Sequence, residues 1–120
     1  MLAYYAGGAG RSLDEQRQRP NRRRLRIIKS LIAERRYHYS NKVRDFIEEG
    51  NFTQEDLERC ILSATEIEKA EEDELGLAID GKKYTILGTD TLGQSFYTCG
   101  KIIRNEQEQL YFFITAHEQN

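Results

Sequence analysis

A tyrosine and a histidine near the end of the chain are the residues best suited to proton transfer. Tyr97 lies in the segment 94–103 and His117 in the segment 110–117. Both segments are rich in aromatic and β-branched residues, so each is predicted to form a strand. If the strands pair with residue numbers that sum to 214, the phenol and the imidazole lie directly opposite each other. Because imidazole exchanges protons near neutral pH, such a pair could act in acid–base catalysis.

The two segments also divide into a polar and an apolar face, because side chains alternate along a strand. The odd-numbered face carries polar-tipped residues, among them Lys101, whose ammonium could bind a phosphate. The even-numbered face is nearly all apolar and is predicted to be buried; it includes Phe96, Ile102, Phe112 and Ile114. A phenol, an imidazole and an ammonium on one open face could bind and cleave a phosphodiester. An exposed strand face with ordinary polar residues explains the same pattern equally well.

Motifs of several other enzyme classes are missing from the sequence. It has no glycine-rich phosphate loop, no Gly-x-Ser-x-Gly elbow and no His-x-x-x-His pair. Cys60 and Cys99 are not spaced as metal ligands and are predicted to be small hydrophobic residues in a reducing compartment. His38, between two tyrosines, is predicted to be structural. What remains is a reaction without metal or cofactor, or no reaction.

Charge is distributed unevenly along the 120 residues. Residues 1–50 hold 12 Lys and Arg against 6 Asp and Glu, and residues 51–120 hold 6 against 14. The basic half fits an anionic partner, and solvated helix faces fit it equally well. No apolar run approaches the roughly 18 residues of a membrane span, and the first residues do not form a signal peptide. A cytoplasmic location and no membrane partner are therefore predicted.

Three helices are predicted, after an arm at residues 1–20 that is flexible or weakly packed. Asn21 is expected to cap the first helix, which runs from about residue 22 to residue 36. Ser40 is expected to cap the second, which ends at Gly50, and Thr53 the third. The outer face of the first helix carries basic residues at Arg22, Arg23, Arg26 and Lys29.

The remainder of the chain is predicted to be a meander of strands. Thr65 begins an edge strand, Asp80-Gly81 predicts a tight type I′ hairpin, and Thr89–Gly93 is the next turn. The predicted fold is thus α+β, with three N-terminal helices on one face of a C-terminal antiparallel sheet of four to five strands. Residues 21–120 are expected to form a single domain.

Several short segments carry a resemblance to a known family. They are Ile28-Lys29-Ser30-Leu31, Tyr37, the spacing of Gly50 and Asp56, Ile61-Leu62-Ser63, and Ile114-Thr115-Ala116-His117-Glu118. Together they resemble the MqsR type of mRNA interferase toxin and, more widely, small RelE-like domains encoded beside antitoxins. The resemblance extends over about residues 25–118 and implies a RelE-like fold. It also implies a type II toxin that cleaves single-stranded or ribosome-associated mRNA without a metal, by attack of the ribose 2′-hydroxyl on the adjacent phosphate.

The resemblance also implies roles for individual residues. Lys69 falls where the family has a basic residue after the third helix, and Tyr97 falls on the family's sheet tyrosine. His117 stands where the family has a lysine. A glutamine expected on the middle strand has no clear counterpart, and Thr85 is the nearest residue. Lys69, Lys101 and Lys83 would stabilise the phosphorane, while Tyr97 and His117 transfer protons.

The partners implied are RNA, the ribosome and a cognate antitoxin, with no cofactor. The residues expected to bind RNA are Arg22, Arg23, Arg26, Lys29 and Lys83. Two alternatives stay open: a non-catalytic RelE-like interaction domain that binds an antitoxin or nucleic acid, and a structural partner subunit. The acidic segment Glu71–Glu74 favours these alternatives, because its carboxylates would repel RNA.

Overall fold

Pro20 lies inside the first helix and not at its start. The computed structural model describes the backbone of residues 13–118 and the side chains of residues 19–117. Helix α1 spans Leu13–Ala33, so the predicted cap at Asn21 is wrong. Pro20 is exposed, where water can replace the hydrogen bond that its ring removes. Residues 13–20 of the predicted arm are therefore helical, and the rest of the arm lies outside the described residues.

The second helix has the predicted caps. Helix α2 spans Asn41–Glu48, and the Ser40 hydroxyl accepts a hydrogen bond from the Val43 backbone N–H at 3.1 Å. After the helix, Gly50 adopts a positive φ of 84°, which glycine accepts without steric cost.

The third helix is capped as predicted and is also tied to the sheet. Helix α3 spans Gln54–Ser63, and Thr53 and Asp56 form a reciprocal capping box at its N-terminus. The Asp56 carboxylate also accepts hydrogen bonds from the backbone N–H and the hydroxyl of Thr91, at 2.9 and 2.8 Å. Burial raises the pKa of Asp56, but the hydrogen bonds from Thr91 and Thr53 outweigh burial and lower it. The carboxylate thus fixes α3 against the turn between two strands.

The sheet is mixed, and the prediction of a purely antiparallel sheet is wrong. The strands are β1 (Tyr37–Tyr39), β2 (Ile67–Glu72), β3 (Lys82–Thr89), β4 (Ser95–Asn105) and β5 (Glu108–Glu118), in the spatial order β1-β5-β4-β3-β2. Strands β2 to β5 form the expected antiparallel meander. Strand β1, between α1 and α2, adds to the free edge of β5 in parallel. The observed fold is an α+β domain, and no helix among residues 13–118 is long and apolar enough to cross a membrane.

The helices cover one face of the sheet, and a β-bulge changes which residues of β5 reach them. The pairing of β4 with β5 shifts by one residue after Cys99, so Gly100 faces Phe113 and not Ile114. As a result Phe113 is fully buried, whereas Phe112 and Ile114 are half-buried. The prediction that these last two residues belong to the core is wrong. The core residues shared by helices and sheet include Leu25, Ile28, Ile32, Val43, Leu57, Cys60, Ile61, Ile86, Phe96, Ile102, Tyr111 and Phe113.

Gly88 allows α3 to lie directly on the sheet. A Cβ atom at this position would be 2.0 Å from the Cys60 carbonyl oxygen. No side chain fits in that space, so the contact between α3 and β3 requires glycine.

A nine-residue loop replaces the predicted tight hairpin. Strand β2 pairs directly with β3, and residues 73–81 connect them. Gly81 has a φ of 75° and donates its N–H to the Ala78 carbonyl at 3.1 Å, but Asp80 does not have the positive φ that a type I′ turn needs. The loop folds back over the end of β4, where Ile79 donates its N–H to the Ile102 carbonyl at 2.9 Å.

Candidate active site on the outer face of the sheet

Tyr97 and His117 are neighbours on the face of the sheet that the helices do not cover, which we call the outer face. They occupy paired positions of β4 and β5, as the alternation of the sequence predicts. Their ring centroids are 4.1 Å apart, with an interplanar angle of 66°. The Tyr97 side chain is half-buried and His117 is exposed. A phenol and an imidazole in direct contact can both reach one small group bound beside them on the outer face.

Lys69 and Thr85 lie beside Tyr97 in the same depression. Lys69 of β2 pairs with Thr85 of β3, and the next outer-face residue of β3, Leu87, pairs with Tyr97. The depression has a volume of about 350 Å³ and is lined by Glu68, Lys69, Thr85, Leu87 and Tyr97. Three of the residues that the resemblance marks therefore line one surface, and His117 adjoins it.

Carboxylates accompany the lysine in this depression. The Lys69 ammonium lies 3.0 Å from the Glu71 carboxylate, and both side chains are solvent-exposed enough for the pair to be weak. Glu68 lines the depression itself. Lys83 lies opposite Glu71 on the outer face. The depression therefore combines positive and negative groups.

Lys101 is not part of the open surface. Its side chain is only 6% exposed, because the loop 73–81 covers this end of the outer face. The ammonium lies 3.1 Å from an oxygen of Asp73 and donates a hydrogen bond to the Gly76 carbonyl at 2.8 Å. The expectation that Lys101 lies on an open face is thus wrong: this lysine holds the loop in place.

The basic residues of α1 lie away from Tyr97. Arg22, Arg23 and Arg26 are exposed, on the far side of the helix from the core. Lys29 is half-buried, and its ammonium donates a hydrogen bond to the Leu62 carbonyl, at the end of α3, over 3.0 Å. Three of the four predicted RNA-binding residues of this helix therefore face solvent, on the opposite side of the sheet from the outer face.

Neither cysteine is arranged as a nucleophile. Cys60 is fully buried, and burial raises its pKa to about 11. Burial also raises the pKa of Cys99, although the hydrogen bond from Thr85 opposes that shift. Both thiols are protonated near neutral pH, as expected of small hydrophobic residues.

Glu68 and Leu87 are the residues of the depression that the sequence reasoning misses. Leu87 could have been found from the Thr89–Gly93 turn, which sets the register of β3 against β4 and so pairs Leu87 with Tyr97. Glu68 could not have been predicted from the sequence, because the pairing of β2 with β3 is irregular between Ile67 and Lys69.

Among residues 13–118, no three His, Cys, Asp or Glu side chains lie close enough together to hold a metal ion. Comparison of the chain with protein-family models, curated proteins and solved structures finds no match in any of the three.

Proposed function

We propose that this chain is a metal-independent endoribonuclease of the RelE-like type, acting as the toxin of a type II toxin–antitoxin pair. The observation that carries the proposal is the contact between Tyr97 and His117 on an uncovered face of the sheet. The family assignment, the antitoxin and the ribosome as partners rest on the resemblance of short sequence segments. The coarse α+β architecture is compatible with it.

In the proposed reaction the RNA supplies its own nucleophile. His117 accepts the proton of a ribose 2′-hydroxyl, and the 2′-oxygen forms a bond to the adjacent phosphorus. The bond from phosphorus to the 5′-oxygen breaks, and Tyr97 donates a proton to that leaving oxygen. Lys69 stabilises the charge on the phosphorane. The products are a 2′,3′-cyclic phosphate and a 5′-hydroxyl.

Incubation of the purified chain with free single-stranded RNA in EDTA, and separately with translating ribosomes in the magnesium buffer that they require, tests the proposal. We expect cleavage with 2′,3′-cyclic phosphate ends. His117→Ala and Tyr97→Phe should each slow it by about 10²-fold or more, because a positioned acid or base contributes about 10²–10⁴-fold. Lys82→Ala serves as the control for Lys69→Ala, since Lys82 is an exposed lysine that does not line the depression.

The acidic groups beside Lys69 favour a second candidate, a non-catalytic domain that binds an antitoxin or nucleic acid. Glu68 lines the depression and Glu71 pairs with Lys69, and both carboxylates repel phosphate. If the wild-type chain binds RNA or an antitoxin but cuts neither free nor ribosome-bound RNA, this candidate replaces the nuclease. Cleavage that persists at the wild-type rate in both His117→Ala and Tyr97→Phe would assign the reaction to other residues.

A further inference from the structure

A second depression lies at the β1 edge of the sheet, away from the β2–β4 surface that holds Tyr97. It has a volume of about 400 Å³ and is lined by Arg35, Tyr37, His38, Tyr39, Arg44 and Gln54. Its residues come from the α1–β1 turn, β1, α2 and α3. The proposed nuclease reaction uses none of them. His38, which the sequence analysis predicts to be structural, is exposed in β1 and lines this depression.

Arg35 occupies a backbone position that normally favours glycine. Its φ is 61°, in the left-handed region just after α1. The N–H groups of Arg35 and Arg36 donate to the carbonyls of Ile32 and Leu31 at 2.9 and 2.8 Å, which is the hydrogen-bond pattern of a Schellman motif. Glycine adopts this conformation without the steric cost that an arginine incurs. An arginine at this position thus costs stability, and this residue lines the depression.

The floor of the depression is a fixed polar network. Gln54 donates its amide N–H to the Tyr37 hydroxyl at 2.9 Å, and that hydroxyl in turn donates to Glu58. Tyr39 donates its hydroxyl to the Gln54 amide oxygen at 3.5 Å. Burial, reinforced by Glu58, raises the pKa of Tyr37, so this phenol remains neutral. The carboxylate of Glu58 is turned to the phenol and does not line the depression.

Two arginines provide the charge. The Arg35 side chain is exposed and forms no ion pair with the residues that the structure describes. One guanidinium nitrogen of Arg44 donates a hydrogen bond to the Asn41 side chain at 3.2 Å. Guanidinium groups bind phosphate through paired N–H donors. The aromatic rings of His38 and Tyr39 provide surfaces on which a base can stack. A volume of about 400 Å³ suits a ligand of nucleotide size.

We propose that the depression at the β1 edge binds the phosphate monoester of a nucleotide, with Arg35 and Arg44 on the phosphate and His38 and Tyr39 against the nucleoside. This site is independent of the nuclease proposal, because it shares no residue with the Tyr97 surface. The phosphate monoester can belong to a free mononucleotide or to the 5′ end of an RNA strand.

Calorimetric titration of the full chain with uridine, uridine 5′-monophosphate, and a short RNA with or without a 5′-phosphate tests the site. We expect the phosphate to strengthen binding at least tenfold in one pair of probes or in both. If the phosphate strengthens binding only for uridine 5′-monophosphate over uridine, the ligand is a free nucleotide. If it strengthens binding only for the 5′-phosphorylated RNA over the unphosphorylated RNA, the ligand is the end of a strand. Arg35→Gly and Arg44→Gln should each weaken the binding of the phosphorylated probe by about tenfold, because each removes a charge-assisted hydrogen bond.

Arg35→Gly separates a binding role from a structural one. Since glycine suits the left-handed position, the variant should melt at the wild-type temperature or above while its phosphate binding falls. Arg104→Ala, which removes an exposed arginine that does not line the depression, should bind as the wild type does. Equal affinity for phosphorylated and unphosphorylated probes would overturn the proposal. So would wild-type affinity in both Arg35→Gly and Arg44→Gln.

Discussion

The buried hydroxyl group of Tyr111 lowers the stability of the fold. Its side chain is fully buried, and its hydroxyl is the only buried side-chain N or O atom, among the described residues, that lacks a hydrogen-bond partner. The ring itself packs edge-on against Phe113 with centroids 5.0 Å apart. A buried hydroxyl without a partner costs about 1–3 kcal/mol. The ring therefore contributes to the stability of the fold, while its hydroxyl reduces that stability.

We accordingly expect Tyr111→Phe to leave the free energy of unfolding unchanged or to raise it by about 1 kcal/mol. Tyr37→Phe is the matched comparison, because that hydroxyl is bonded to Glu58 and Gln54. Its loss should lower the free energy of unfolding by about 1 kcal/mol. Urea denaturation of both variants measures the difference. A clear destabilisation by Tyr111→Phe would mean that the hydroxyl has a partner, such as an internal water.

The buried ion pair between Lys101 and Asp73 predicts that part of the stability of the fold depends on pH. Burial raises the pKa of Asp73, but the hydrogen bonds from Lys101 and from the Ala78 N–H outweigh burial and lower it below 3.8. A carboxyl whose pKa is lower in the folded chain stabilises the fold above its unfolded pKa and loses that contribution as the pH falls through its folded pKa. Lys101→Met should therefore cost about 1.5–3 kcal/mol at neutral pH. The difference from the wild type should shrink as the pH falls through the lowered pKa of Asp73, and vanish or reverse once that carboxyl is protonated. Denaturation curves across that range measure it, and a cost independent of pH would contradict the ion pair.

At the scale of elements, the β-bulge in β5 determines which phenylalanine belongs to the core. Phe113 is fully buried and contacts Tyr37 and Tyr111 edge-on, whereas Phe112 is half-buried on the outer face. We expect Phe113→Ala to cost about 3–5 kcal/mol, the usual range for a buried aromatic residue. Phe112→Ala should cost clearly less. Chemical denaturation of the pair checks this, and equal costs would place the register shift elsewhere in β5.

The same bulge limits how much of the pairing between β4 and β5 can be predicted from strand alternation in the sequence. Tyr97 and His117 lie before the register shift, so strict alternation pairs them correctly. Phe112 and Ile114 lie at or beyond it, and one inserted residue reverses the faces. No glycine or proline in β5 marks the insertion. The pairing of the candidate site could be predicted for this reason, and the far half of β5 could not.

Helices α2 and α3 could be predicted from local sequence, because the cap residues Ser40 and Thr53 bond to backbone N–H groups only three residues further along the chain. The three residues of β1 depend on pairing with β5, about 70 residues away in the sequence. The burial of Lys101 likewise depends on the distant Asp73. Tertiary contacts of this kind leave no periodic pattern, so the mixed sheet and the covered lysine became visible only in the structure.

At the scale of the whole molecule, the basic helix and the candidate active site lie on opposite sides of the sheet. Helix α1 contributes Leu25 and Ile28 to the core on the covered face, so Arg22, Arg23 and Arg26 face away from the sheet. A very short RNA bound at Tyr97 cannot also contact these arginines. A long strand can reach them only by passing around an edge of the sheet.

This arrangement predicts that the salt dependence of RNA binding depends on RNA length. Each phosphate contact contributes about 0.7 to the slope of log affinity against log salt for single strands, so replacing Arg22, Arg23 and Arg26 by Gln should reduce that slope by about 2 for a long RNA. For a tetranucleotide the slope and the cleavage rate should stay as in the wild type. Lys69→Ala, on the outer face, should reduce the slope by about 0.7 for both lengths, because the short RNA also lies over that lysine. Fluorescence anisotropy in a salt series measures each slope. If the triple substitution already reduces the slope for the tetranucleotide, RNA binds first to the helical side, and the outer face is not its principal binding surface.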